Sequence, residues 1–144
     1  MVAYADTSFL FSLYVQDANT ARAAQLGANL QGALIVTLLQ RFELRNALRL
    51  SVFRGDISDD ECRRLLDLIE ADAKTGALVE TPVSWAEVYT EAEALSAAHT
   101  GKLGTRAMDV LHVAAAVALG AKVFLSFDAR QSTLAAKAGM TVQS

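Results

Sequence analysis

Short apolar runs alternate with helical stretches along the whole chain, and this alternation constrains the fold more than any other feature of the sequence. The runs lie at 2–5, 33–37, 78–81, 123–127 and 140–142. They are too short for helices and rich in β-branched or aromatic residues, so they read as buried strands. Between them, helical spacing or capping residues predict helices over 8–15, 19–30, 38–54, 58–74, 84–98, 105–119 and 129–138. Ser58 with Glu61 three residues on has the pattern of a capping box, and Gly55 and Pro82 punctuate the elements before and after it. Strands alternating with helices predict an α/β protein, a mostly parallel five-stranded sheet covered on both faces.

Composition narrows the function classes. A chain of 144 residues suits one domain spanning 1–144, and 53% hydrophobic against 20% charged residues excludes a disordered chain. The single cysteine, Cys62, and the two histidines, His99 and His112, exclude Cys-rich or His-rich metal sites. A net charge of −3 does not announce a nucleic-acid binder. The opening MVAYAD lacks a basic start and an apolar core, so no secretion signal is expected. The apolar stretch 110–127 is broken by His112, Gly120 and Lys122, so no membrane span is expected either. A reduced, cytoplasmic protein is the simplest reading.

Ligands of parallel α/β sheets gather at the carboxyl ends of the strands. Asp6 directly follows the first run and Asp128 the fourth; each also suits a helix cap. Ser126 shares the strand face of Asp128, where its hydroxyl can orient a carboxylate. Glu43 projects from a helix among Leu39, Asn46, Ala47 and Leu50, so it sits on or beside a packing face. Asp109 lies in MDVLHVAAAV, a helix apolar nearly all round. A buried carboxylate there needs a partner, either Arg106 at i−3 or a metal. Four acids converging on one rim would repel one another unless a cation such as Mg²⁺ or Mn²⁺ held them. Such a site activates water and steadies charge on a phosphoryl group.

These residues together resemble a known family. Asp6-Thr7-Ser8 after the opening strand, Glu43 in FELRNAL, Asp109 in RAMDVLHVAAA and Asp128 in FLSFD resemble, in order, the four acidic motifs of PIN domains. The last two segments most resemble VapC toxins of type II toxin–antitoxin modules. The resemblance implies a three-layer α/β/α PIN-like fold and a metal-dependent endoribonuclease that cleaves RNA by a metal-activated water. It implies that Asp6 and Asp109 are primary ligands of Mg²⁺ or Mn²⁺, completed by Glu43 and Asp128, with Thr7, Ser8 and Ser126 as supporting hydroxyls. It also implies a cognate antitoxin and a homodimer.

Other features admit plain readings beside functional ones. All seven basic residues before Asp72 are arginines, and Arg41, Arg45 and Arg49 form a stripe that meets solvent, RNA or an antitoxin. Arg106 is the basic residue nearest Asp109 in sequence. His112 reads as a satisfied core histidine rather than a ligand. Residues 99–104 read as a flexible polar loop, and Trp85, Cys62 and Tyr89 as packing residues. The apolar surplus of the two long helices (Leu44, Leu48, Leu50, Val52, Phe53; Leu65, Leu66, Leu68, Ile69) offers a groove for a partner segment. The competing functions are a non-catalytic binding module and an Asp-based phosphatase or phosphotransfer domain. A haloacid-dehalogenase-type loop wants a second Asp where Ser8 stands.

Overall fold

The computed structural model describes residues 2–144. Its strands are β1 (Ala3–Ala5), β2 (Leu34–Val36), β3 (Leu78–Glu80), β4 (Val123–Leu125) and β5 (Thr141–Gln143). They form one parallel sheet in the order β3-β2-β1-β4-β5. The chain lays β2 and β3 to one side of β1, then returns to add β4 and β5 on the other. The direction reverses between β1 and β4, where an open α/β sheet leaves a crevice outside its strand carboxyl ends.

Side-chain alternation along these strands divides the core in two. Ala3, Ala5, Val36, Val123 and Leu125 pack on one face, against α1 (Thr7–Tyr14), α2 (Thr20–Ala28), α3 (Leu38–Phe53) and α4 (Asp59–Thr75). Tyr4 and Phe124 point the other way, into a core shared with α5 (Trp85–Leu95), α7 (Ala107–Ala118) and α8 (Ala129–Lys137). The result is the expected three layers. Helix α7 is the most deeply set, with Val113, Ala114, Ala115 and Ala116 fully buried; its small side chains let it lie close to α5 and the sheet.

Capping sets where the site's helices begin. Asp6 accepts from the Phe9 backbone N–H at 2.9 Å, so α1 starts at Thr7, one residue earlier than expected. Asp128 caps α8 in the same way through Gln131 N–H at 2.9 Å. Ser58 caps α4 through Glu61 N–H, but the box is only half made. The Glu61 carboxylate turns instead to Arg64 at 2.7 Å, a charge-assisted bond stronger than one to a backbone amide.

Two expectations are corrected. Residues 99–104 are not a flexible loop: α5 continues into a π-helical turn (Ser96–Thr100) and a last turn, α6 (Gly101–Leu103). Gly104, at φ 67°, ends it, and the Thr100 and Thr105 hydroxyls bond across the stop at 2.8 Å. The apolar surplus of α3 and α4 is smaller than the sequence suggests. Leu44, Leu48, Leu65 and Ile69 are core residues; Leu50, Phe53 and Leu68 are exposed, as is Phe42. No helix among the described residues is long and apolar enough to cross a membrane.

Candidate active site

The crevice between β1 and β4 is held shut at the backbone, where Asp6 N–H donates to the Leu125 carbonyl at 3.0 Å. Asp6 lies just past this point and is wholly buried. Its carboxylate accepts from the Ser8 hydroxyl at 2.7 Å, from Phe9 N–H at 2.9 Å and from the Ser126 hydroxyl. Burial pushes the Asp6 carboxyl above its ordinary range, opposed by Ser126, Ser8, the Phe9 amide and nearby His112. Ser126 reaches both sequence-predicted acids of this edge, because the Asp128 N–H donates to its hydroxyl at 2.9 Å. The Ser8 hydroxyl also accepts from Phe127 N–H at 3.1 Å, tying the two strand ends together. The three predicted hydroxyls therefore hold the acids: Ser8 and Ser126 at Asp6, Thr7 at Glu43, where Oγ1 donates at 2.8 Å.

Glu43 comes from the second turn of α3, in the opposite helix layer to α7. The two layers meet through His112, whose Nε2 bonds the Glu43 carboxylate while Nδ1 bonds the Tyr4 hydroxyl at 2.9 Å. Tyr4 also stacks on Phe124 and meets His112 edge-on. Burial, with the charges of Asp6 and Glu43, holds the Tyr4 phenol protonated. The ionised carboxylate only accepts, so the Nε2–H of His112 is the donor to Glu43. His112 is a satisfied core histidine, as expected, but what satisfies it is a site acid. Burial raises Glu43, yet the His112 bond and charge and the Thr7 hydroxyl outweigh it and leave Glu43 below the ordinary glutamate range.

Asp109 stands in the first turn of α7 and accepts from Arg106 backbone N–H at 3.0 Å. Of the two partners the sequence allows, the Arg106 side chain is not one: it is exposed at the helix start and makes no ion pair with Asp109. The partner of Asp109 is Gln131, whose amide N–H donates to Oδ1 at 3.2 Å. Sequence reasoning missed Gln131. The signal was there in Asp128-x-x-Gln131, a cap followed three residues on by an amide.

All four acids are thus held by neutral donors, with His112 the one titratable partner. Among the described residues, no lysine or arginine pairs with Asp6, Glu43, Asp109 or Asp128. Nor, among the described residues, do three of Asp, Glu, His or Cys stand close enough as the side chains lie to enclose an ion. Glu43 is turned to Thr7 and His112, and Asp128 to its cap. The all-oxygen carboxylate set nonetheless fits a hard divalent cation. A groove of about 430 Å³ opens at Thr7, Ser8 and Phe127, next in the chain to Asp6 and Asp128, and is lined also by Asp17, Ala47, Leu50 and Arg54; none of the four acids lines it. A larger cleft of about 710 Å³ opens at the opposite end of the sheet, beside Ala3, Ala33 and Val123. Its lining has no Asp or Glu among the described residues.

Known proteins share this architecture. VapC20 of Mycobacterium tuberculosis, a sarcin-ricin loop cleaving toxin, superposes at TM-score 0.66 with 18% identity, over 91% of this chain and 93% of that one. VapBC-1 from nontypeable Haemophilus influenzae gives TM-score 0.66 at 14% identity, over 100% and 98%. FitAcB from Neisseria gonorrhoeae gives 0.62 at 15%, over 99% and 97%. At such identities the likeness is one of fold. No match is found among curated proteins. The family model for the PIN domain matches residues 3–137, nearly the whole sequence, and the chain belongs to the PIN domain family.

Proposed function

We propose that this chain is a metal-dependent endoribonuclease, the toxin of a type II toxin–antitoxin pair. The observation that carries the reading is the carboxylate rim itself: four acids about the sheet's reversal point, held by hydroxyls, amides and one imidazole, without a lysine or arginine partner among the described residues. Family membership and the fold-level likeness to VapC20, a sarcin-ricin loop cleaving toxin, support the same reading. Asp6 and Asp109 are the primary ligands of a divalent cation, Mg²⁺ or Mn²⁺, with Glu43 and Asp128 completing the set. When bound, such a cation activates water and neutralises charge growing on a phosphate in flight.

The chain's own residues supply the rest. Ser8 and Ser126 fix both oxygens of Asp6, and Thr7 and His112 fix Glu43. Burial of Asp6 keeps the ligand dry, so its interaction with a cation is weakly screened. The adjoining groove receives the RNA strand, with Arg54 at its wall for the phosphate backbone. A cognate antitoxin silences the site by filling that groove, and a second copy of the chain completes a homodimer. The chain is one domain over 1–144 that works in the cytoplasm.

Incubating the protein with a mixed RNA pool tests the reading. Cleavage is expected with Mg²⁺ or Mn²⁺, none with a chelator, and none from Asp109→Asn under either condition. Absence of cleavage with both metals, alongside intact metal binding, favours the binding-module reading instead.

A further inference from the structure

Gln131 links two of the four acidic segments, one through its backbone and one through its side chain. Its backbone N–H donates to Asp128 Oδ1 at 2.9 Å, and its amide Nε2 donates to Asp109 Oδ1 at 3.2 Å. The carboxylate fixes which way the amide lies, since only the NH₂ end can donate to it. That leaves Oε1, on the same amide carbon, facing inward: it is buried and has no hydrogen-bond partner, and the residue is 9% exposed. A buried amide acceptor without a donor costs free energy comparable to a lost hydrogen bond. The alternative at this position, an apolar side chain, avoids that cost. The unpaired oxygen belongs to the same amide that holds Asp109, and one ligand carrying both positive charge and proton donors suits the pair. A hydrated divalent cation is such a ligand, because Mg²⁺ and its analogues keep part of their water shell on binding.

We propose that Gln131 is a positioning residue for this cation: its N–H holds Asp109 in place and its free carbonyl oxygen accepts a hydrogen bond from the ion's water shell. The inference rests on the metal reading above. It adds a neutral fifth residue to the acidic set, on α8, which no acidic motif marks.

The test is Mn²⁺ affinity of the full chain, read from the loss of the free-ion EPR signal, for wild type, Gln131→Met and Gln131→Asn. Methionine keeps the length and volume but offers neither amide atom; asparagine keeps the amide but withdraws it from Asp109. Outer-shell partners of metal ligands are typically worth 10- to 100-fold in affinity, and a loss of about that size is expected for both variants. The metal-free melting temperature is expected to change little for Gln131→Met, since the unpaired acceptor and the donor to Asp109 are lost together. A merely structural glutamine gives the reverse pattern, a lower metal-free melting temperature with unchanged Mn²⁺ affinity, and that result overturns the proposal. If Gln131→Met fails to fold, unchanged affinity in Gln131→Asn overturns it equally. Wild type that binds no Mn²⁺ removes the metal reading and this inference with it, an outcome distinct from the other two.

Discussion

Two clusters of charge sit on this molecule, and they are built on opposite principles. On the outer side of α3, Arg41 pairs with Glu80 at 2.8 Å and with Glu70, and Arg45 pairs with Glu70 at 3.0 Å. Acid and base come in matched numbers, half exposed, and the cluster needs nothing from outside. At the end of the sheet, four acids stand on hydroxyls, amides and an imidazole, without a lysine or arginine partner among the described residues. The same chain had arginines to spare and did not place one there. The first cluster offsets its own charge, whereas the acids of the second have no base beside them, among the described residues, to offset theirs.

The comparison is broken most severely by removing a ligand. Asp109→Asn is expected to lower Mg²⁺-dependent RNA cleavage by about 10³-fold, since a metal contributes several kcal/mol to the transition state. In metal-free buffer the same variant is expected to melt at or above the wild-type temperature. A much lower metal-free melting point makes Asp109 a structural acid.

Supplying the cation is the next largest effect. Mg²⁺ at 100 times its dissociation constant stabilises the fold by about 2.7 kcal/mol, which for a chain of this size raises the melting temperature by about 5–10 °C. Calorimetric scans with and without Mg²⁺ check this, and Asp109→Asn is expected to lose most of the rise.

Within the rim, Asp6 and Glu43 separate by the sign of their pH dependence. Burial is the leading influence on both and pushes both up. At Asp6 it prevails, so ionised Asp6 costs stability once pH rises through its elevated folded-state value. At Glu43 the His112 and Thr7 bonds outweigh it, so that stability is present above the ordinary glutamate range and is lost as pH falls through the lowered folded-state value. In chelator near neutral pH, Asp6→Asn is expected to melt higher than wild type, with the gain fading in acid. Glu43→Gln is expected to be less stable by about 1–3 kcal/mol, with that loss fading in acid too. Melts from about pH 3 to about pH 8 read both.

The smallest effect belongs to the paired cluster. Arg41→Ala is expected to change stability by less than about 1 kcal/mol, as exposed ion pairs do, and to leave Mg²⁺ affinity unchanged. A larger loss of metal affinity would show that the two clusters are not independent.

Much of this was legible in the residues because it rests on local rules. Strand alternation sends Tyr4 and Phe124 to one face and Ala5 and Leu125 to the other, and the acids follow their strands to the carboxyl ends. The capping residues Asp6, Ser58, Ser84 and Asp128 all cap. What the sequence hid were contacts made across long separations. His112 reaches Glu43 over 69 positions, and Gln131 reaches Asp109 over 22. Helical spacing placed each on a face but could not say what stands opposite. For the same reason the arginine stripe remained open between solvent and partner, because Glu70 and Glu80 lie on other elements. The turn at 99–104 misled because two glycines and polar side chains suggest a loop, while the threonine bond across Gly104 completes a helix end.

The central claim, that this rim is a cation site, is tested most directly by titrating the wild-type protein with Mn²⁺ in a calorimeter at two pH values and in buffers of different ionisation heat. Saturable binding is expected, weaker at the lower pH, with protons released to the buffer, because burial raises the Asp6 carboxyl while a bound cation favours its ionised form. A folded protein that gives no binding heat at either pH contradicts the account.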